Sequence, residues 1–362
     1  ADEIRLTVPA PAAEWFAYRY GVAEGGNVVN DPHSEFSGRN ILYQAASVEE
    51  TAEQFGRPVE EIRTGLETAE AALLKARASR VRPHLDDKIL TAWNGLMISA
   101  LALGGAVLEE PRYAKAARRA ADFALGHLFE PATGQLLRRY RDGEAAIPGF
   151  LEDYAMFTQA LLDLYEAQFD RRDMEWAVRL AEKQSALFED SAGGGFFHSP
   201  AEAGDLVLRL KEDYDGAEPS GNSIAILNLL RLAQITGRLE FRASAERALA
   251  AFAPRLARVP VALPAMLTAC EFYLAEPRQI VVVGPRDSAG TRALLRAFHS
   301  RFVANRIVLL VDTEETRHAL AAGIPAIEAM QLAGGLPSAY VCRNYACQLP
   351  VTEAAQLAEL LQ

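Results

Sequence analysis

Leu128-Phe129-Glu130-Pro131-Ala132-Thr133-Gly134 is matched further along the chain by Leu187-Phe188-Glu189-Asp190-Ser191-Ala192-Gly193. The offset of roughly 60 residues is long for a simple solenoid but suits a helical hairpin with a long loop. At about that same offset, Glu152-Asp153-Tyr154 is matched by Glu212-Asp213-Tyr214. Two matches in register argue for a duplicated unit.

Each unit holds two kinds of helix. Trp93 to Leu108, Tyr154 to Tyr165 and Ile224 to Ala233 are apolar nearly all round. Helices of that kind are expected to be covered on every side. The stretches from Arg112 to Leu128, Arg172 to Phe188 and Glu240 to Leu256 are one-sided, with charge on one face and apolar residues on the other. Alternation of the two kinds predicts inner helices wrapped by outer ones. The expected fold is mainly α, an α/α toroid. A fourth inner helix is expected between Val261 and Leu274, and Val48 to Arg77 reads as an outer pair or a broken helix. That makes about four hairpins where a closed ring needs six, so the toroid is expected to be incomplete.

With one repeated connection, all inner helices run the same way and their N-termini meet at one mouth. The segments leading into them are acidic. Arg82-Pro83-His84-Leu85-Asp86-Asp87-Lys88 precedes the first, Gly149-Phe150-Leu151-Glu152-Asp153 the second, and Asp213-Tyr214-Asp215-Gly216-Ala217-Glu218-Pro219-Ser220-Gly221-Asn222 the third. Acids at helix N-termini also serve as caps and as partners of the helix dipole. The Gly-bounded runs Gly134 to Arg141 and Gly193 to Arg209 are expected to form small hairpins at that mouth.

The tail changes character. Gln279 to Gly284 and Arg306 to Val311 read as buried strands around an amphipathic helix from Thr291 to Phe302, a βαβ unit with a parallel sheet. Its first turn, Val283-Gly284-Pro285-Arg286, lacks the glycine pattern of a dinucleotide site. The expected division is a toroid over 1–277 and a small α/β subdomain over 278–362.

A net charge of -11 argues against nucleic acid and anionic membranes as partners. The longest apolar run, Gly95 to Leu108, is too short to span a bilayer. Three cysteines make no disulfide framework, and Cys342 and Cys347 are expected as free thiols in a cytoplasmic protein. Zinc would need further ligands nearby, so neither metal nor cofactor is expected. The chain begins with Ala1, which fits a processed, trimmed or partial sequence.

Four motifs carry a resemblance to a known family: Arg82-Pro83-His84-Leu85-Asp86-Asp87-Lys88 with Trp93-Asn94-Gly95-Leu96; Gly149-Phe150-Leu151-Glu152-Asp153-Tyr154-Ala155; Tyr214-Asp215-Gly216-Ala217-Glu218-Pro219-Ser220-Gly221-Asn222-Ser223; and Ala339-Tyr340-Val341-Cys342-Arg343-Asn344. They resemble the spermatogenesis-associated protein 20 family, whose bacterial members are described as thioredoxin-domain-containing proteins. The resemblance implies a thioredoxin-like domain, then a six-hairpin toroid similar to those of glycosidases and N-acylglucosamine 2-epimerases, then a short C-terminal piece. The first domain and the first hairpins are missing here, so the chain looks like the later half of a longer protein.

Taken with the residues, this gives two expectations. The first is a carbohydrate site at the mouth, glycosidase-like or epimerase-like. Asp86, Asp87, Glu152, Asp153, Asp215 and Glu218 are its candidate catalytic acids. Trp93, Asn94, Tyr154, Asn222, His84 and His198 are its candidate binding residues. Glycoside hydrolysis needs two carboxyl groups roughly 5 Å or 6.5–9.5 Å apart, and epimerisation needs a base beside a carbonyl carbon, often histidine. The second expectation is a non-catalytic scaffold for the missing thioredoxin-like half or a partner chain, since an open toroid exposes apolar flanks.

Overall fold

Helix follows helix in pairs for most of the chain in this computed structural model, which describes residues 1–201, 208–275, 277–343 and 346–362. Two compact units divide between Asp86 and Asp87. The first holds α1 (Asp2–Thr7), α2 (Ala12–Arg19), α3 (Val48–Phe55) and α4 (Val59–Ala78). Ser47 and Glu50 form a capping box at the start of α3, and Gly56, in the left-handed region at φ 61°, ends it. The broken helix expected over Val48 to Arg77 is thus α3 and α4. Both pack around Trp15, Phe16, Ile62 and Leu66 within the first unit.

The second unit opens with β1 (Ile89–Leu90) and then runs α5 (Thr91–Val107), α6 (Pro111–His127), β2 (Phe129–Glu130), β3 (Gln135–Arg141) and β4 (Glu144–Pro148). There follow α7 (Leu151–Gln168), α8 (Arg171–Phe188), α9 (Gly221–Thr236), α10 (Leu239–Arg258) and α11 (Pro264–Leu274). Helices α5, α7, α9 and α11 pack side by side in sequence, and α6, α8 and α10 each back onto the helix before them. This is an arc of an α/α toroid, three hairpins and a lone inner helix. The approach of α5 to α7 depends on Gly95, where a Cβ would stand 2.7 Å from the Met156 carbonyl group.

The inner helices differ in cover. Helix α7 buries Tyr154, Met156, Phe157, Leu161 and Leu164, and α9 buries Ile224, Ile226, Leu229 and Leu232. Helix α5 corrects the expectation of all-round burial. It packs through Ala92, Gly95, Ile98 and Ala102 but leaves Trp93, Met97, Leu103 and Val107 exposed along the opposite face.

Of the expected mouth hairpins, β3 and β4 form one, with β1 and β2 also pairing on β3. The other falls partly on 202–207, outside the described residues. At the C-terminal end, β5 (Arg278–Val283), α12 (Ala289–His299) and β6 (Arg306–Val311) form the βαβ unit, with β5 and β6 parallel. The sheet is mixed rather than purely parallel. After α13 (Glu314–Ala321), β7 (Ser338–Arg343) pairs antiparallel with β5, β8 (Ala346–Cys347) pairs with β7, and α14 (Ala354–Leu360) ends the unit.

The period of two along each strand divides its residues between two cores. Val281, Val283, Ile307, Leu309 and Val311 join the core of the toroid helices. Ile280, Val282, Val308 and Leu310 pack with Leu294, Phe298 and Leu357. Cys342 and Cys347 are register partners across β7 and β8 and form a disulfide. This corrects the free-thiol reading, because antiparallel pairing brings face to face two cysteines that are five residues apart in sequence. Asn344, the last residue of the fourth family-like motif, lies outside the described residues. Among the described residues, no helix is long and apolar enough to cross a membrane.

Candidate functional site

Hydrogen bonds at the N-terminal ends of the inner helices draw them onto one rim. Asp153, in the first turn of α7, accepts from the Ala92 N–H of α5 at 3.1 Å and from its own Phe150 N–H at 3.0 Å. Asp215 accepts from Ser220 N–H at 2.8 Å, just before α9, and from Ala265 N–H at 2.8 Å and Met266 N–H at 3.3 Å in α11. The Trp93 indole of α5 donates to Glu218 at 2.8 Å. Four like-directed helices therefore end at one mouth, as a repeated connection requires.

At the centre of this rim stands His198. Its Nδ1 lies 3.1 Å from Glu152 and 3.8 Å from Glu212, and its ring stacks on Phe150 at 4.9 Å between centroids. Its backbone carbonyl accepts from Leu151 N–H at 3.0 Å, fixing the loop to the start of α7. Arg138 of β3 donates to Glu152 at 2.7 Å, approaches Asp153 at 3.4 Å and covers the Phe150 ring. A concavity of about 270 Å³ opens here, lined by Glu152, His198, Glu212, Tyr214 and the turn from Gly216 to Gly221.

The two adjacent acids of α7 have opposite electrostatics. Burial works against the Glu152 charge, but hydrogen bonds with His198 and Arg138 outweigh it and hold the carboxyl down at about 2. Burial pushes Asp153 up to about 6, against the pull of the Phe150 N–H and Arg138. The hydrogen bond to Glu152 lifts His198 above the ordinary imidazole range.

The remaining expected site residues fall out as follows. Asp87 is half-exposed and pairs with Arg141 at 2.7 Å. Asn94 donates to Leu90 one turn back at 2.8 Å. Tyr154 and Asn222, expected as binding residues, are fully buried. The Tyr154 hydroxyl accepts from Leu136 N–H at 2.8 Å, and Asn222 bridges Phe196 and Glu212 backbone atoms. They shape the mouth from behind. His84 and Asp86 lie in the exposed run that ends the first unit.

Arg138 and Glu212 were not singled out from sequence. Glu212 was visible only as the partner of Glu152 in the internal match. That match is one of sequence alone: Glu152 sits in the first turn of α7, whereas Glu212 lies in the loop ahead of α9. Arg138 was legible only as the countercharge that a half-buried carboxylate pair demands. Among the described residues, no cluster of histidine, cysteine and acid side chains has the makings of a metal site.

Like-directed inner helices delivering acids and a histidine to one mouth define a protein of the α/α-toroid class. The aligned stretch belongs to the spermatogenesis-associated protein 20 family. It is 42% identical over 366 residues to Homo sapiens Spermatogenesis-associated protein 20, covering 98% of this chain and 46% of that protein. The chain spans about half the length of the curated relatives it matches. No family model matches it. Among solved structures, a family 105 glycoside hydrolase of C. acetobutylicum aligns at 14% identity and TM-score 0.38, covering 57% of this chain and 60% of that one. A cellobiose 2-epimerase from Spirochaeta thermophila aligns at 16% identity and TM-score 0.38, covering 46% of this chain and 43% of that one. Nothing about chemistry follows from likeness at that distance.

Proposed function

We propose that the mouth binds a carbohydrate and processes it by proton transfer through His198, in the manner of a sugar epimerase rather than a glycosidase. The observation that carries this reading is the Glu152–His198 contact of 3.1 Å inside an acid-lined concavity. An anionic Glu152 orients the imidazole through Nδ1 and leaves Nε2 as the proton carrier. In an epimerisation, Nε2 takes the proton from the carbon beside the sugar carbonyl, leaving an enediolate; water at the open mouth returns a proton to the opposite face, and Nε2 gives its own proton back to solvent. Glu152 is pinned as an anion, which suits it to orient the histidine and not to serve as the general acid of glycoside cleavage. The half-exposed rings of Trp93 and Tyr214 offer faces for a pyranose, and Glu212 and Glu218 offer acceptors for its hydroxyls.

The test is a thermal-shift panel of mono- and disaccharides, followed by incubation of any stabilising sugar in D2O. The expected outcome is a raised melting temperature and deuterium at the carbon beside the carbonyl, both lost in His198→Asn. Should no sugar shift the melting temperature and no deuterium enter, the reading fails.

The second reading, an interaction scaffold for a thioredoxin-like module, is favoured by one observation: the exposed apolar face of α5 formed by Trp93, Met97, Leu103 and Val107. It wins if a separately made thioredoxin-like module raises the melting temperature where sugars do not.

A further inference from the structure

A second cavity, of about 250 Å³, lies toward the other ends of the inner helices. Helix α7 brings Asp163 and Glu166 to it, one turn apart, and α9 brings Arg231. The Arg231 guanidinium is buried and bridges the two carboxylates, at 2.8 Å to Asp163 and 3.0 Å to Glu166. From the α/β part come His299, at the end of α12, and Arg306, at the start of β6. Phe272 of α11 and Leu103 of α5 add apolar wall.

We propose that this cavity is a binding site for a small zwitterion of the free α-amino acid class, separate from the mouth and independent of what the mouth does. Two carboxylates around one guanidinium leave a net negative charge, in a setting where an unbalanced charge is costly. Arg306 supplies a positive charge to the same cavity. Its guanidinium lies over the Phe298 ring at 5.1 Å, and among the described residues no carboxylate stands within 4.0 Å of it. The cavity therefore has a negative and a positive group that do not neutralise each other directly. A ligand ammonium set toward Asp163 and Glu166, with its carboxylate toward Arg306, completes both.

Two further groups point to an occupant. The Gln159 Oε1 and the His299 Nδ1 are buried and, among the described residues, have no hydrogen-bond partner. Orphaned polar atoms of this kind cost stability unless something meets them. Burial, with Arg306 nearby, holds His299 down at about 4, so at neutral pH the imidazole is uncharged and does not repel an ammonium. The volume equals that of roughly eight waters, enough for an amino acid of about eight to ten heavy atoms and small for a disaccharide.

The experiment uses the full chain, thermal shift and isothermal titration. The probes are the free amino acids, their N-acetyl derivatives, which lack the ammonium, and their methyl esters, which lack the carboxylate. The expected result is binding by one or a few free amino acids and at least tenfold weaker binding by both derivatives. Arg306→Gln weakens it by at least tenfold. Leu103→Trp, made at a half-exposed position, fills the cavity and abolishes binding, and it carries the test if Arg306→Gln does not fold. Glu152→Gln, at the mouth, leaves amino acid binding unchanged, so failure of the mouth reading is told apart from failure of this one. The proposal is overturned if no free amino acid binds, if the derivatives bind equally, or if Leu103→Trp binds like the unaltered protein.

Discussion

Asp153 and Glu152 are neighbours in sequence with different work. Asp153 is fully buried, and its carboxylate accepts backbone N–H groups from α5 and from Phe150, the residue that caps α7. Asp153→Asn keeps only one accepting oxygen, so it is expected to cost about 1 kcal/mol despite removing a buried charge. Urea denaturation reads this, and an unchanged midpoint would mean that the bridge between α5 and α7 has no structural weight. Glu152 instead ties its stability to pH. Its folded pKa lies below the unfolded 4.5, so its contribution is present above 4.5 and lost as pH falls toward about 2. His198 is raised above 6.5, so its contribution is full below 6.5 and fades as pH rises through the folded value. The two overlap between 4.5 and 6.5. The stability lost in Glu152→Gln should be largest in that window, about 1–2 kcal/mol, and shrink on either side. A loss that is flat from acid to alkaline pH would show that the contact is not an ion pair in solution.

Single helices were legible because apolar periodicity is a local property. The inner and outer helices of all three hairpins, α11 and the βαβ unit stand where the pattern placed them. What the pattern could not tell was who covers a helix. An apolar run signals only a wish for burial, and α5, the first inner helix of the arc, packs on α6 and α7 but leaves Trp93, Met97, Leu103 and Val107 exposed. In the same way, an acidic run marks a helix start but not the use of each carboxylate. Asp215 became a cap for α11 from 50 residues away, and Asp213 pairs with Arg255 of α10 at 3.0 Å. Tertiary partners decide such roles, and they are absent from any short window of sequence. Because Asp215 serves both the turn before α9 and the start of α11, Asp215→Ala is expected to cost about 2 kcal/mol. A calorimetric melting temperature within error of the unaltered protein would refute that coupling.

For the second unit as a whole, the exposed stripe on α5 is an apolar flank of the kind expected of an open toroid. If the stripe is open in solution, Met97→Lys with Val107→Lys should leave stability within about 0.5 kcal/mol while reducing self-association, read by light scattering at rising concentration. A large fall in melting temperature would mean that something in the molecule covers those residues.

Arg286 has a consequence for where the chain can be divided. From the turn after β5 it donates to the carbonyls of Gln168 and Phe169 at 2.9 Å each, closing the last turn of α7, while Asp312 holds it at 2.9 Å. One face of the sheet also lies in the helical core. A gene cut at 277 would therefore release neither half cleanly. The severed arc would keep an unclosed helix end and an uncovered apolar face, so each product is expected to melt below the intact chain.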